Sequence, residues 1–124
     1  MNLEPFVDYL ADNGVGIKGT TLFGYSLPAD VKTGVAVISN ATITREPYQK
    51  GRRDGTIQVI VRGTSYDDIE KRAESVSTLL DAQGLVLGSI KILKIYPLHE
   101  PLIYPRSEGS LLEASVNFNI TYVN

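Results

Sequence analysis

Cysteine and tryptophan are absent from the 124-residue sequence, and histidine occurs once, at position 99. Without cysteine the chain has no disulfide framework, no thiol nucleophile and no Cys-ligated zinc or iron–sulfur site. A single imidazole also excludes a histidine-based metal cluster. We therefore expect no metal and no cofactor, and most common enzyme chemistries lack the residues that they need.

Neither a strong net charge nor a long apolar run is present. The net charge is −2 and the isoelectric point is near 5.3, so the overall field does not attract nucleic acid or acidic membranes. No apolar stretch approaches the roughly 20 residues that span a bilayer, and residues 1–9 do not resemble a signal peptide. We expect one domain over residues 1–124, a cytoplasmic product, no membrane partner and no specific nucleic-acid binding.

Hydrophobic periodicity predicts one short and one long helix. Pro5 suits the first turn of a short N-terminal helix, and Gly14 can end it in the left-handed conformation. The long helix is predicted over residues 66–83, with Ser65 as its N-cap and Gly84 after its end. Its apolar side chains fall within a narrow arc that would pack on a sheet, namely Ile69, Ala73, Val76 and Leu80.

Alternating patterns predict several strands. Residues 56–62 alternate after Asp54 and Gly55, a pair that signals a turn. The clearest strand is predicted over residues 111–123, with Ala114, Val116, Phe118, Ile120 and Tyr122 on one face. Weaker patterns cover residues 22–27, 35–39 and 85–96. The pattern over residues 111–123 fits a half-buried strand of an antiparallel sheet.

Residues 14–19 match the dinucleotide-binding pattern Gly-x-Gly-x-x-Gly letter for letter. That mechanism requires a strand before the glycines and a helix N-terminus after them, where the pyrophosphate binds. Here a predicted helix precedes the glycines and no helical pattern follows them. We therefore expect a glycine-rich turn.

Other candidates for catalysis lack supporting residues. Asp67, Asp68 and Glu70 lie in the first turn of the long helix, where carboxylates already stabilise the helix dipole. No serine lies in a nucleophile elbow, and His99, in a proline-rich stretch, is expected at the surface or in a packing role. We expect no enzymatic activity, because the sequence contains no cofactor-binding or catalytic motif in the structural context that the chemistry requires.

Two stretches, residues 45–55 and 97–109, are predicted as long loops of the functional kind. The first is basic and contains Tyr48, so it could contact phosphates and a base, form a solvated hairpin tip, or meet an acidic protein partner. The second contains three prolines. The tyrosines fit an interface and a core edge equally well.

Several short motifs follow one another in a distinctive order. A strand ending at Arg62 leads through Gly-Thr-Ser-Tyr (residues 63–66) into the long helix. The segment Glu-Pro-Leu-Ile-Tyr-Pro-Arg-Ser-Glu-Gly (residues 100–109) leads to a final strand that contains Asn117 and Phe118. In these features the chain resembles the small minor capsid or tail terminator proteins of long-tailed bacteriophages. The resemblance covers most of the chain after Leu22, and none of its motifs is a catalytic signature.

This resemblance implies a structural virion protein of the α+β class, with an antiparallel or mixed β-sheet and one long and one short helix packed on one face. Such proteins form a ring, usually of six copies, at the head-proximal end of the tail tube, where they stop tube growth and meet the neck. The implied partners are further copies of the chain, the tail tube protein and a neck or head-completion protein, and assembly takes place in the host cytoplasm. The alternative is a small nucleic-acid-binding module that uses the basic 45–55 loop. Our hypothesis places the assembly contacts on Arg45, Tyr48, Lys50, Arg52, Arg53, His99, Tyr104, Arg106 and Glu108.

Overall fold

Two helices and eight strands make up the part of the chain that the computed structural model describes, residues 2–39, 43–105 and 111–123. The helices are α1 (Glu4–Asp12) and α2 (Tyr66–Leu79). The strands follow the chain as β1 (Leu22–Gly24), β2 (Gly34–Ile38), β3 (Thr44–Arg45), β4 (Arg52–Gly63), β5 (Ala82–Leu87), β6 (Ile90–Pro97), β7 (Leu102–Pro105) and β8 (Leu112–Val123).

All of these strands join one mixed sheet with the order β1-β2-β4-β8-β6-β5. The β1–β2 pair is parallel and the other pairs of named strands are antiparallel. Strand β3 pairs with the same edge of β4 as β2 does, and β7 pairs with the same edge of β8 as β6 does. The centre is the β4–β8 pair, which is in register from Arg52 opposite Val123 to Gly63 opposite Leu112.

Both helices cover the same face of this sheet, and the core lies between the two layers. The predicted apolar face of β8 is confirmed, because all five of its side chains are buried. Helix α1 buries Phe6, Val7 and Leu10, and α2 buries Ile69, Ala73 and Val76. The two helices also touch directly, since the Tyr9 hydroxyl donates a hydrogen bond to the carbonyl of Leu79 over 3.2 Å. The predicted α+β class is confirmed.

The ends of the helices follow the sequence signals in part. Gly14 has a φ of 81° just after α1, as predicted. The Ser65 side chain accepts a hydrogen bond from the amide of Asp68 and caps α2. The glycine-rich turn is also confirmed, because β1 rather than a helix follows residues 14–19. None of the helices in the described part of the chain is both long and apolar enough to cross a membrane.

The predicted end of the long helix is wrong. Helix α2 stops at Leu79, and residues 82–87 form β5, which pairs with β6 around a turn at Gly88. Ala82 lies opposite Ile95 and Leu85 lies opposite Ile92, so these residues extend the sheet instead of forming another turn of the helix. Tertiary pairing therefore overrides helix propensity here, and the single strand predicted over 85–96 is a hairpin.

Both predicted long loops also contain strand. Residues 44–45 and 52–55 belong to β3 and β4, so Asp54 and Gly55 lie inside a strand and not in a turn. Residues 102–105 form β7 within the second predicted loop. In each case the short segment pairs with one of the two long central strands, a contact between residues distant in sequence.

Candidate assembly interface

A basic hairpin, residues 44–54, lies at the end of the sheet where β4 begins. Its turn is closed by two backbone bonds, from the Glu46 amide to the Arg52 carbonyl at 3.1 Å and from the Arg52 amide to the Gln49 carbonyl at 3.0 Å. The Arg52 guanidinium also donates to the Gln49 side chain at 2.8 Å. Tyr48 at the tip is 93% exposed. The hairpin thus has an ordered backbone and a large aromatic side chain in solvent.

Two arginines of this basic hairpin face each other. Arg45 and Arg53 are directly opposite cross-strand partners, so their side chains lie on the same face of the hairpin. Neither forms an ion pair with any residue in 2–39, 43–105 or 111–123. Like charges in directly opposite positions destabilise a strand pair. Electrostatic interactions within the isolated chain therefore do not explain why two arginines occupy these facing positions.

The other face of the same hairpin has a balanced cluster around Asp54. Its carboxylate accepts a hydrogen bond from the Thr121 hydroxyl at 2.7 Å and lies 3.5 Å from Nε of Arg52. The Thr121 hydrogen bond, and then the charges of Arg52 and Lys94, hold the pKa of Asp54 below its ordinary value of 3.8. These contacts fix the hairpin to β8.

Charge is divided between the layers. Helices α1 and α2 carry seven carboxylates and two basic residues, whereas the β3–β4 segment, residues 44–63, carries five basic residues and two carboxylates. Lys18 partly compensates the helices, with its Nζ 2.6 Å from Glu4 and 2.9 Å from Asp8, and these hydrogen bonds raise the pKa of Lys18. The helical layer therefore has an acidic surface, although the whole chain is nearly neutral.

An acidic groove lies between the C-terminal half of α2 and residues 97–101. Its carboxylates are Glu74, Asp81 and Glu100, and none of them forms an ion pair within the described residues. Asp81 follows the last turn of α2, which contains no basic residue. The groove is lined by Glu74, Ser77, Thr78, Asp81, Pro97, Leu98, His99, Glu100 and Pro101.

His99 forms part of the sheet at the break between β6 and β7. The Leu98 amide donates to the Asn117 carbonyl at 2.8 Å, and the Asn117 amide donates to Nε2 of His99 at 3.2 Å. The other ring nitrogen, Nδ1, lies 2.6 Å from the Glu100 carbonyl and is the protonated one in this arrangement. The imidazole thus replaces a backbone acceptor where the strand is interrupted, and the predicted surface or packing role is confirmed.

Tyr104 lies at the far end of β8 in a different environment. It is opposite Glu113, whose carboxylate lies 2.8 Å from Nε of Arg62. Burial, with the charge of Glu113, raises the pKa of the Tyr104 phenol. The Arg62 guanidinium also donates to the carbonyls of Pro28 and Val31. This cluster holds the segment before β2 against the sheet.

The structure does not bring all predicted interface residues together. Arg45, Tyr48, Lys50, Arg52 and Arg53 share the basic hairpin, whereas His99 and Tyr104 lie across β8 from it. Along β8, the positions opposite Arg53 and Tyr104 are nine residues apart, or about 30 Å. Arg106 and Glu108 lie outside the described residues.

The acidic groove is not predicted from the sequence. A signal was present, because Asp81 follows a helix whose last turn lacks lysine and arginine, the residues favoured there. The contribution of Glu100 depends on the fold, since it lies far from α2 in sequence. Within 2–39, 43–105 and 111–123, no group of three or more acidic or histidine side chains is placed to hold a metal ion.

Comparison with known proteins identifies the family to which this chain belongs. A family model described as "Bacteriophage tail terminator protein" matches residues 9–124. A chain from a solved structure titled "Virion of native gene transfer agent (GTA) particle" is similar in fold, with a TM-score of 0.67 at 14% identity. The alignment covers 86% of this chain and 81% of that chain.

A second solved chain is aligned over 95% of this one and 89% of its own length at 14% identity, with a TM-score of only 0.45. No curated protein matches the sequence. The family match covers the end of α1, all of α2 and the whole sheet, and it agrees with the resemblance seen in the sequence. The chain therefore belongs to the bacteriophage tail terminator protein family and is a structural component of a phage or phage-like virion.

Proposed function

We propose that this chain forms a hexameric ring at the head-proximal end of the tail tube. The ring stops polymerisation of the tube and offers the surface on which the head is joined. Its partners are the tail tube protein on one side and a neck or head-completion protein on the other, and it assembles in the host cytoplasm. The family match over residues 9–124 is the observation that carries this proposal. We also propose that the chain has no enzymatic activity.

The charge distribution supports association of copies in a ring. Uncompensated basic and acidic side chains lie on different elements, the basic hairpin and the acidic groove, so one copy presents two unlike surfaces. A contact between unlike surfaces is heterologous, and it produces a closed ring when its rotation closes. We assign interface roles to Arg45, Tyr48, Lys50, Arg52, Arg53, His99, Tyr104, Arg106 and Glu108.

Solution mass tests the ring. We expect multi-angle light scattering across a range of concentrations to give a discrete hexamer, and negative-stain images of the same sample to show rings. If the free chain is monomeric, the same measurement is made on tubes of polymerised tail tube protein, where we expect rings at one end. A stable dimer that is retained on DNA in a salt-sensitive manner would contradict the proposal and favour a nucleic-acid-binding module.

Tube length tests termination. When tail tube protein polymerises with the purified chain present, we expect a narrow distribution of lengths, and without it we expect continued growth. Adding the chain to preformed tubes should block further elongation at substoichiometric amounts, because only the growing end is bound. Tubes that continue to elongate at saturating chain would overturn the termination role.

A further inference from the structure

We propose that the acidic groove of one copy receives the basic hairpin of the next copy around the ring. The inference rests on the proposed ring and names the surfaces that hold it together. The occupant of the groove is a second copy of this chain, with Arg45 and Arg53 of the basic hairpin contacting Asp81, Glu74 and Glu100 of its neighbour.

Each surface has an electrostatic defect that the other corrects. On the basic hairpin, Arg45 and Arg53 face each other without a carboxylate partner in the described part of the chain. At the acidic groove, Asp81 lies at the negative end of the α2 dipole, where a cation is favoured and an anion is not. Arginine can bind a carboxylate through two parallel hydrogen bonds, so one contact relieves both defects.

The groove also holds a polar atom in need of a partner. Oγ of Ser77, which lines the acidic groove, is shielded from solvent and has no hydrogen-bond partner among the described residues. In the last turn of α2 the carbonyls of Val76 and Leu79 already accept hydrogen bonds, from the Leu80 amide and the Tyr9 hydroxyl. Those of Ser77 and Thr78 have no donor in the described part of the chain. A guanidinium supplies five N–H donors, which suits the carboxylates of the groove and these carbonyls, and rotation about χ1 of Ser77 would turn its hydroxyl towards the same donors. Tyr48, exposed at the hairpin tip, can cover the exposed side chain of Leu98 at the rim.

The two surfaces of one copy cannot meet each other. Arg53 lies opposite Tyr122 on β8, while His99 at the groove bonds Asn117. These positions are five residues apart, about 17 Å along the strand, and β8 itself lies between the hairpin and the groove. The hairpin must therefore reach a neighbouring copy. Because hairpin and groove are different surfaces, each copy keeps one of each free until the ring closes.

Charge reversal at each surface tests the inference, with matched controls elsewhere. Arg45→Glu reverses the charge at position 45 of the hairpin, and Lys32→Glu is its control, an exposed lysine with no ion pair in the described part of the chain. Asp81→Lys reverses the charge at position 81 of the groove, and Asp12→Lys is its control, because Asp12 is also an exposed carboxylate at a helix C-terminus. We expect each test variant to associate about tenfold more weakly than its control, a loss of about 1.4 kcal/mol. Association is measured by sedimentation velocity of the free chain, or by copies bound per tube end if rings form only there.

Mixing the two variants provides the decisive measurement. In a ring of Arg45→Glu copies, position 45 of each copy meets a like charge at Asp81 of its neighbour, and in a ring of Asp81→Lys copies, position 81 meets a like charge at Arg45. When the two variants alternate, every contact between positions 45 and 81 joins opposite charges. We expect the equimolar mixture, and the double variant, to associate within about threefold of the wild type.

The outcomes separate this inference from the proposed function. If both test variants form rings and cap tubes as their controls do, the hairpin–groove contact is wrong and the ring stands. If each variant is defective and the mixture is no better, the two surfaces do not contact each other, and the inference is also wrong. If the wild type forms no ring either free or on tubes, the proposed function itself fails.

Discussion

Arg62 and Glu113 lie directly opposite each other across β4 and β8, with Nε of the guanidinium 2.8 Å from the carboxylate. Their side chains are only 7% and 14% exposed. The same guanidinium donates to the carbonyls of Pro28 and Val31, at 2.8 and 3.0 Å. One buried charge therefore joins the two central strands to the segment before β2, and its loss should be felt across the sheet.

We expect Glu113→Ala to lower the free energy of unfolding by about 3 kcal/mol, because it leaves the Arg62 charge buried without its carboxylate. Arg72→Ala is the control, since it breaks a pair with Asp68 whose side chains are 25% and 49% exposed. That change should cost less than about 1 kcal/mol. Urea denaturation measures both. Equal losses for the two variants would show that burial does not strengthen the Arg62 contact.

Asp54 predicts a pH dependence of stability. Because its pKa in the folded chain lies below the ordinary value of 3.8, its carboxylate stabilises the fold above that pH. This contribution is lost as the pH falls through the folded pKa, below about pH 4. We expect Asp54→Asn to be less stable than the wild type at pH 7, and the difference to shrink towards pH 2. Thermal unfolding at several pH values measures it, and a constant difference would contradict the assignment.

His99→Ala should weaken the sheet locally. The variant removes the acceptor of the Asn117 amide, and a net loss of about 1 kcal/mol is typical for one such bond. Hydrogen exchange at the Asn117 amide should accelerate, while exchange at Val59 on β4 should change only as much as global stability does. Unchanged protection of Asn117 would show that its amide does not depend on the imidazole.

Arg45→Glu and Asp81→Lys should each stabilise the isolated chain. The first places a carboxylate opposite Arg53, worth about 0.2–1 kcal/mol in a strand pair. The second places a cation at the end of α2, worth about 0.3–1 kcal/mol. Unfolding of monomeric protein at low salt measures both. A loss of stability in either variant would mean that the original charge contributes to folding and not to assembly.

Gly55→Ala should destabilise the chain by about 1–3 kcal/mol through overcrowding. A Cβ at Gly55 would lie 2.5 Å from Cδ1 and 3.2 Å from Cα of Ile43. The matched control in β4 is Gly63→Ala, whose Cβ would meet side-chain atoms no closer than 3.2 Å, the nearest being Cγ1 of Ile69. A smaller loss for Gly55→Ala than for the control, measured by urea denaturation, would contradict this packing.

Gly55 also explains why a turn is predicted where the chain forms a strand. Asp54 and Gly55 form a turn pair by composition, yet β4 runs through them because Gly55 leaves room for Ile43 and Asp54 bonds Thr121. Ile43 lies in the segment before the hairpin turn and Thr121 lies in β8, so neither contact can be predicted from the residues next to Asp54 and Gly55. The apolar face of β8, by contrast, depends only on neighbours two residues apart, and all five of its side chains are buried as predicted, although Ser115 and Thr121 on the opposite face are buried too.

The candidate interface shows the same contrast between residues that are close in sequence and residues that only the fold brings together. The basic residues from Arg45 to Arg53 could be selected from the sequence, because they are close together in the chain. The acidic groove combines the end of α2 with Glu100, and only the pairing of β6 and β7 with β8 brings them together. Likewise, the sequence placed the end of the long helix four residues too late, because the pairing of Ala82 with Ile95 is a tertiary contact.

The long central pair, β4 and β8, has a mechanical consequence. Twelve consecutive residue pairs are aligned without a bulge, and their hydrogen bonds lie across the strand direction. Tension applied along these strands loads all of the bonds at once in shear, so they resist together instead of opening one after another. A virion component under tension would gain strength from this strand pair when the pull runs along it, and much less when the pull peels the strands apart.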